Sequence, residues 1–131
     1  MATPSLRLAF FKLNVPEMDK ALAFYRDAFG FAVTMSFDES EFLEHVMALP
    51  GQETGPNLLL VEYKDGRDVT VGPGGHGPAG FMTDDIDASF DRAVTAGAVV
   101  LAPIFETDGV RIAMLSDPWG HEIELVQPPA D

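Results

Sequence analysis

One pattern runs twice through this chain, and the duplication limits the possible folds more than any other feature. In the first copy, residues 6–15 alternate as a half-buried strand requires. Phe10, Lys12 and Asn14 share one face, and Phe11, Leu13 and Val15 the other. Pro16 then opens a helix, where its fixed φ and missing N–H do no harm. Met18, Leu22, Tyr25 and Phe29 recur at helical spacing, and Gly30 supplies a left-handed stop. Strand-like runs follow at 31–37, 42–49 and 57–63, separated by Asp38-Glu39-Ser40 and by Pro50-Gly51, which suit turns. Residues 64–77 read as a linker, with Gly72-Pro73-Gly74-Gly75 at its centre. The pattern then restarts. A short strand at 79–83 leads to a helix capped by Asp84 or Asp85, with the stripe Ile86, Phe90 and Val94 and a stop at Gly97. Strands at 99–105, 110–116 and 122–126 complete it, the last two joined by the tight turn Asp117-Pro118-Trp119-Gly120.

The order βαβββ, linker, βαβββ predicts a single α+β domain over residues 1–131, with one module at about 6–63 and the other at about 78–127. Each module is expected to form a curved mixed sheet with its helix on the outer face. Two such modules leave a cleft between their concave faces, where a ligand usually sits.

Composition narrows the partners. The chain carries 21 acidic and 8 basic side chains, a net charge of −13. Nucleic acid and anionic membrane surfaces are disfavoured, because both call for a basic footprint. The charge suits solubility, and it also suits a groove that attracts cations. The absence of cysteine excludes disulfides, thiolate metal sites and thiol nucleophiles, and fits a cytoplasmic location. We see no signal peptide and no apolar run of the length a membrane span needs. Gly-x-Ser-x-Gly, P-loop and His-Glu-x-x-His motifs are missing.

Two segments carry a family resemblance. The first is Phe24-Tyr25 followed by Gly30-Phe31. The second is Asp117-Pro118-Trp119-Gly120 followed by Glu124-Leu125, preceded in its module by Asp84-Asp85-Ile86-Asp87. Flanking a repeat at this separation, they resemble the vicinal oxygen chelate superfamily, which includes glyoxalase I, extradiol dioxygenases, fosfomycin-resistance proteins and bleomycin-binding proteins. The resemblance implies the glyoxalase/bleomycin-resistance fold. It also implies a divalent metal held by His, Glu or Gln on the first and last strands of each module, acting as a Lewis acid. Carried over position by position, those sites fall on Phe10, near Leu60, near Pro78, and on Glu124. Only Glu124 offers a donor. Glu62 shares Leu60's face, so a slip of two residues would recruit it, and His76 would need a similar shift. The expectation is therefore no metal cofactor, with a divalent metal only at a shifted site.

The remaining candidates fall around the expected cleft. Glu124, if enclosed by Phe10, Leu60 and Met114, is placed to act as a general base or to anchor a cation. Lys12 and Asn14 share Phe10's face and are candidates for ligand contact. By alternation His45 sits with Leu43 and Met47, on a face taken to line the cleft. Trp119, the only tryptophan, reads as packing or as a stacking surface for a flat ligand. His121 reads as a cap on the Asp-Pro turn, and His76 as an exposed linker residue. Together these readings favour a metal-independent binder of a small cationic or aromatic molecule in a cleft shared by a homodimer. The alternative is a lyase or dioxygenase of the same superfamily that uses a shifted metal site or Glu124 as base.

Overall fold

The computed structural model describes residues 5–72 and 75–130; Pro73 and Gly74 of the expected linker lie outside them. Module one comprises β1 (Phe10–Asn14), α1 (Met18–Phe29), β2 (Ala32–Asp38), β3 (Phe42–Ala48) and β4 (Asn57–Tyr63). Module two comprises β5 (Ala79–Met82), α2 (Ile86–Ala96), β6 (Val99–Thr107), β7 (Val110–Ser116) and β8 (Glu122–Gln127). The expected order is the observed one. β1 is shorter than the alternation of residues 6–15 suggested, because its one partner, β4, begins at Asn57, opposite Phe10.

Each module forms a four-stranded mixed sheet, in the orders β1-β4-β3-β2 and β5-β8-β7-β6. The first strand of each module runs parallel to the last, and the other pairings are antiparallel. No strand pairing joins β1 to β5, so the curved surface is built from two sheets rather than one continuous sheet. The modules instead meet through their helices, which pack against each other. Arg92 of α2 reaches across this contact. Its Nε donates to the carbonyl oxygen of Asp27 at 2.8 Å, satisfying one of the free carbonyls at the end of α1. Phe29 stacks on Phe81 of β5 at 4.5 Å between ring centroids, joining the two modules in one continuous core.

The helix termini repeat the same chemistry. Gly30 and Gly97 take left-handed φ values of 87° and 118°, and their N–H groups bond back into the last turn. Asp85, rather than Asp84, caps α2, its Oδ1 accepting from the Ala88 N–H at 3.1 Å. The first N–H of each helix is also bonded from a distance. Met18 N–H donates to Glu62 Oε1 and Ile86 N–H to Gln127 Oε1, both at 2.8 Å. The last strand of each module thus holds the start of that module's helix.

The buried helix faces differ from the expected stripes. In α1 the enclosed residues are Met18, Ala21, Phe24, Tyr25 and Ala28, with Leu22 and Phe29 at the border. The face is wide because α1 packs on both its own sheet and α2, and the alanines permit that approach. In α2, Ile86 and Ala93 are buried whereas Val94 is 38% exposed. Eight residues on from Ile86, Val94 is rotated about 80° off the contact line at 3.6 residues per turn. Among the described residues, no helix is long and apolar enough to cross a membrane.

Candidate functional site

Strand register sorts every candidate residue onto one of two faces. Leu13 of β1 stands opposite Leu60 of β4, which stands opposite His45 of β3. This row faces α1, and Leu60 is fully buried in the core. The alternate row is free of the helix: Phe10, Lys12 and Asn14 on β1, Leu59 and Val61 on β4, and Phe42, Glu44 and Val46 on β3. In module two, Ala113, Leu115, Ile123 and Leu125 enter the core. Met114 lies opposite Glu124, and Glu124 opposite Gly80, on the open face.

Phe10, Lys12, Asn14, Met114 and Glu124 therefore occupy open faces, as their expected roles require. Four other candidates do not. Leu60 points into the core, so it cannot enclose Glu124. Glu62 shares Leu60's face as expected, but its carboxylate is engaged as the acceptor at the start of α1. His45 belongs to the helix-side row, and its Nδ1 lies 2.6 Å from Ser36 Oγ. Its alternation with Leu43 and Met47 was correct, but that apolar face is the one the helix covers. Trp119 packs edge-on against Phe24 at 6.1 Å and contacts the core from the β7–β8 turn.

Sequence reasoning missed the most developed part of the open face. Glu44 sits mid-strand between Leu43 and His45 and is only 7% exposed. Lys12 Nζ lies 2.6 Å from its Oε1, an ion pair that reaches from β1 to β3 across the open face. The same ammonium stands 5.5 Å from the centroid of the Phe10 ring. Beyond Glu44, at the β2–β3 hairpin, a cavity of about 460 Å³ is lined by Phe37, Glu39, Ser40, Glu41, Phe42 and Glu44. A charge in the middle of an apolar strand was the available signal.

Comparison with known proteins fits this architecture. The family model described as "Glyoxalase/Bleomycin resistance protein/Dioxygenase superfamily" matches residues 7–125. The chain belongs to this superfamily. It is 26% identical over 119 residues to a lactoylglutathione lyase of Haemophilus influenzae, covering 88% of this chain and 87% of that one. It is 29% identical over 125 residues to a probable lactoylglutathione lyase of Vibrio parahaemolyticus, covering 92% and 90%. Among solved structures it resembles TnmS3, an antibiotic binding protein from a Streptomyces species, at 29% identity with a TM-score of 0.75, covering 97% and 99% of the two chains. Glyoxalase I of Zea mays shares the fold at a TM-score of 0.82 and 19% identity, covering 95% of this chain and 45% of that one.

The internal symmetry refines where a superfamily metal site would fall. Glu62 and Gln127 perform the same helix-bonding task, so three residues before each lie equivalent positions, Leu59 and Glu124. The module-one position is thus Leu59 rather than Leu60, and it still has no donor. The set Phe10, Leu59, Pro78 and Glu124 contributes one carboxylate, whereas catalytic zinc and non-haem iron sites are held by three protein donors. Among the described residues, no three His, Asp or Glu side chains converge to hold a metal ion. The residues present do not fit that group.

A Tyr–Asp–His cluster invites a catalytic reading that its burial refutes. Asp117 is 1% and His121 2% exposed. Tyr25 Oη donates to Asp117 Oδ2 at 2.7 Å, and His121 Nδ1 lies 2.7 Å from the same oxygen. The N–H groups of Trp119 and His121 both donate to Oδ1 at 2.9 Å. His121 is therefore the turn cap that its position suggested. Tyr25 belongs to module one and Asp117 to module two, so the cluster locks the modules together. Burial pushes the Asp117 carboxyl up, but the bonds from His121 and Tyr25 outweigh it and hold the group below the usual range. Burial, then the Asp117 charge and the bond to it, raise the Tyr25 phenol well above its ordinary value.

Proposed function

We propose that this protein is a metal-independent binder of a small cationic or aromatic molecule, held on the open faces of its two sheets. The observation that carries the reading is the donor-poor set Phe10, Leu59, Pro78 and Glu124, at the positions where superfamily enzymes hold their metal. Apolar and aromatic walls with a few fixed polar groups are what small-molecule sites generally present. Phe10, Lys12, Asn14, Met114 and Glu124 supply such a surface. The 29% likeness to an antibiotic binding protein supports the same reading. The ligand is bound between two copies of the chain, whose unpaired β1 and β5 edges adjoin the open faces.

The test has two parts. Metal content is measured by mass spectrometry on untagged protein, after dialysis and again after addition of Ni, Co, Zn, Mn or Fe. The expected result is no stoichiometric retention; about one ion per chain overturns metal independence. Calorimetric titration with a diverse panel of cationic and aromatic compounds should then give at least one saturable binder, and failure of the whole panel counts against the binding role.

A second reading is favoured by the likeness to lactoylglutathione lyases and by the intact Glu124, which stands on the open face beside Met114 and Gly80. In that reading Glu124 is a metal-free general base. Glu124→Gln then abolishes turnover of any substrate found, whereas unchanged turnover dismisses the role.

A further inference from the structure

Phe10 and Leu59 stand where module one would hold a superfamily metal, and neither offers a donor. A cation is nevertheless fixed on the same face. Lys12 lies two residues from Phe10 on β1 and opposite Leu59 on β4. Its ammonium reaches across β4 to Glu44 on β3, 2.6 Å away, and stands 5.5 Å from the centroid of the Phe10 ring. The lysine stem therefore crosses the open side of β4, where Leu59 and Val61 are buried although the helix lies on the other face.

Stability alone does not call for this pair. Glu44 is more than nine-tenths buried, between Phe37 on β2 and Val61 on β4. Drawing a carboxylate out of water is costly, and an apolar pair of similar volume is often as stable or more so. What the pair achieves is position. A free lysine samples many rotamers, whereas this one is drawn to a carboxylate enclosed in the sheet. The ammonium is not used up there. It carries three N–H donors, and the Lys12 side chain is 47% exposed, so donors remain for a ligand. Asn14, the next residue on that face of β1, is also exposed. Because Glu44 balances the charge, the face suits a neutral hydrogen-bond acceptor rather than an anion. The half-exposed Phe10 ring beside it offers flat apolar contact.

We infer that the Lys12 ammonium, steadied by Glu44, serves in place of the superfamily's metal as the electropositive group of module one, and that the ligand offers it a carbonyl-type oxygen on a flat aromatic group laid against Phe10. Glu44 is then a positioning residue that acts through Lys12. The inference rests on the binding role proposed above and, for module one, names the aromatic ligand and the group that recognises it.

The experiment uses acetophenone and α-methylstyrene, which share a shape and differ in having oxygen or CH2 at one position. Binding is followed by amide chemical-shift mapping on the full chain. The expected result is saturable shifts centred on residues 10–14 and 44–46, with acetophenone tighter by about tenfold, as one hydrogen bond from a charged donor implies. Lys12→Met keeps the stem and removes the charge. It should bring acetophenone down to the level of α-methylstyrene and leave α-methylstyrene unchanged, and Lys12→Arg should restore the preference. The infrared carbonyl band of bound acetophenone should lie at lower frequency in the wild type than in Lys12→Met. Glu44→Gln should lower the ratio of the two affinities, whereas a general loss of structure lowers both together; if that variant does not fold, the two Lys12 variants decide the matter. Equal binding of the two probes, or a preference that survives Lys12→Met, overturns the oxygen recognition and leaves the binding role intact. Shifts centred on Glu124 and Met114 overturn the placement on module one. Absence of any shift with either probe overturns the inference, and failure of the wider panel as well overturns the binding role.

Discussion

Asp117 organises more of this molecule than any other single residue. Four donors converge on its two oxygens, from Tyr25, from the backbone of Trp119, and from the backbone and ring of His121. Removing one donor leaves a buried lone pair unsatisfied, so Tyr25→Phe should cost about 1–3 kcal/mol in urea unfolding. Asp117→Ala strands several buried donors at once and should cost more than Tyr25→Phe. The same cluster sets a pH dependence. Because folding lowers the Asp117 pKa below 3.8, its stabilisation is complete above about pH 4 and is lost as pH falls below that. Tyr25 works at the other end. Its folded pKa lies above 10, so its contribution is complete below pH 10 and is lost as the pH rises further. Denaturation midpoints for the wild type and Tyr25→Phe, followed down from pH 7 to 3 and up to 11, should converge at both extremes. A constant gap across that range would assign the cost of the substitution to packing. The sequence showed Tyr25 and Asp117 as separate signatures, one packing a helix and one building a turn. That they bond to each other depends on how the modules dock, which no local pattern encodes.

At the scale of elements, most of the layout was legible, because it rests on local chemistry. Alternation set the strands, Asp84 or Asp85 marked the start of α2, and Gly30 and Gly97 marked helix ends, whereas Pro16 lies just before the N-cap residue Glu17 and not in the first turn of α1. What was not legible was which face of a strand the helix covers. Leu60 and His45 were assigned to the cleft because alternation yields two faces without naming them. Register then places both on the helix side, opposite Leu13. Glu62 illustrates the same limit. A carboxylate near the end of β4 resembles a metal ligand in sequence, yet it bonds the first N–H of α1, as Gln127 does for α2. The two caps make paired predictions. Glu62→Ala and Gln127→Ala should each destabilise by about 1 kcal/mol, the usual worth of a helix N-terminal acceptor. Glu62→Gln should be close to neutral, because an amide oxygen accepts equally well and Gln127 already does so. A large loss of stability in Glu62→Gln, measured by thermal unfolding, would show that its charge matters beyond the cap.

For the whole molecule, the deciding observation is unused edge and surface. β1 pairs only with β4 and β5 only with β8, leaving one side of each open among the described residues. Apolar side chains gather along these edges: Leu6 is 95% exposed, Leu8 77%, Phe10 50%, Phe11 46% and Met82 77%. The accessible surface of 8121 Å² also exceeds the roughly 6,800 Å² expected of a folded monomer of 14.2 kDa. Open strand edges flanked by apolar residues recruit further strands unless they are covered, and a second copy of the same chain would cover them with two-fold symmetry. Sedimentation at micromolar concentration should therefore give a mass about twice that of the chain. The double variant Leu8→Asp with Met82→Asp, which touches neither the core nor the hairpin cavity, should shift the protein towards monomer with its far-ultraviolet dichroism unchanged. If the ligand is held between copies, the monomerised variant should also lose affinity for a panel compound. A wild-type protein that sediments as a monomer with full ligand affinity would place the entire site within one chain.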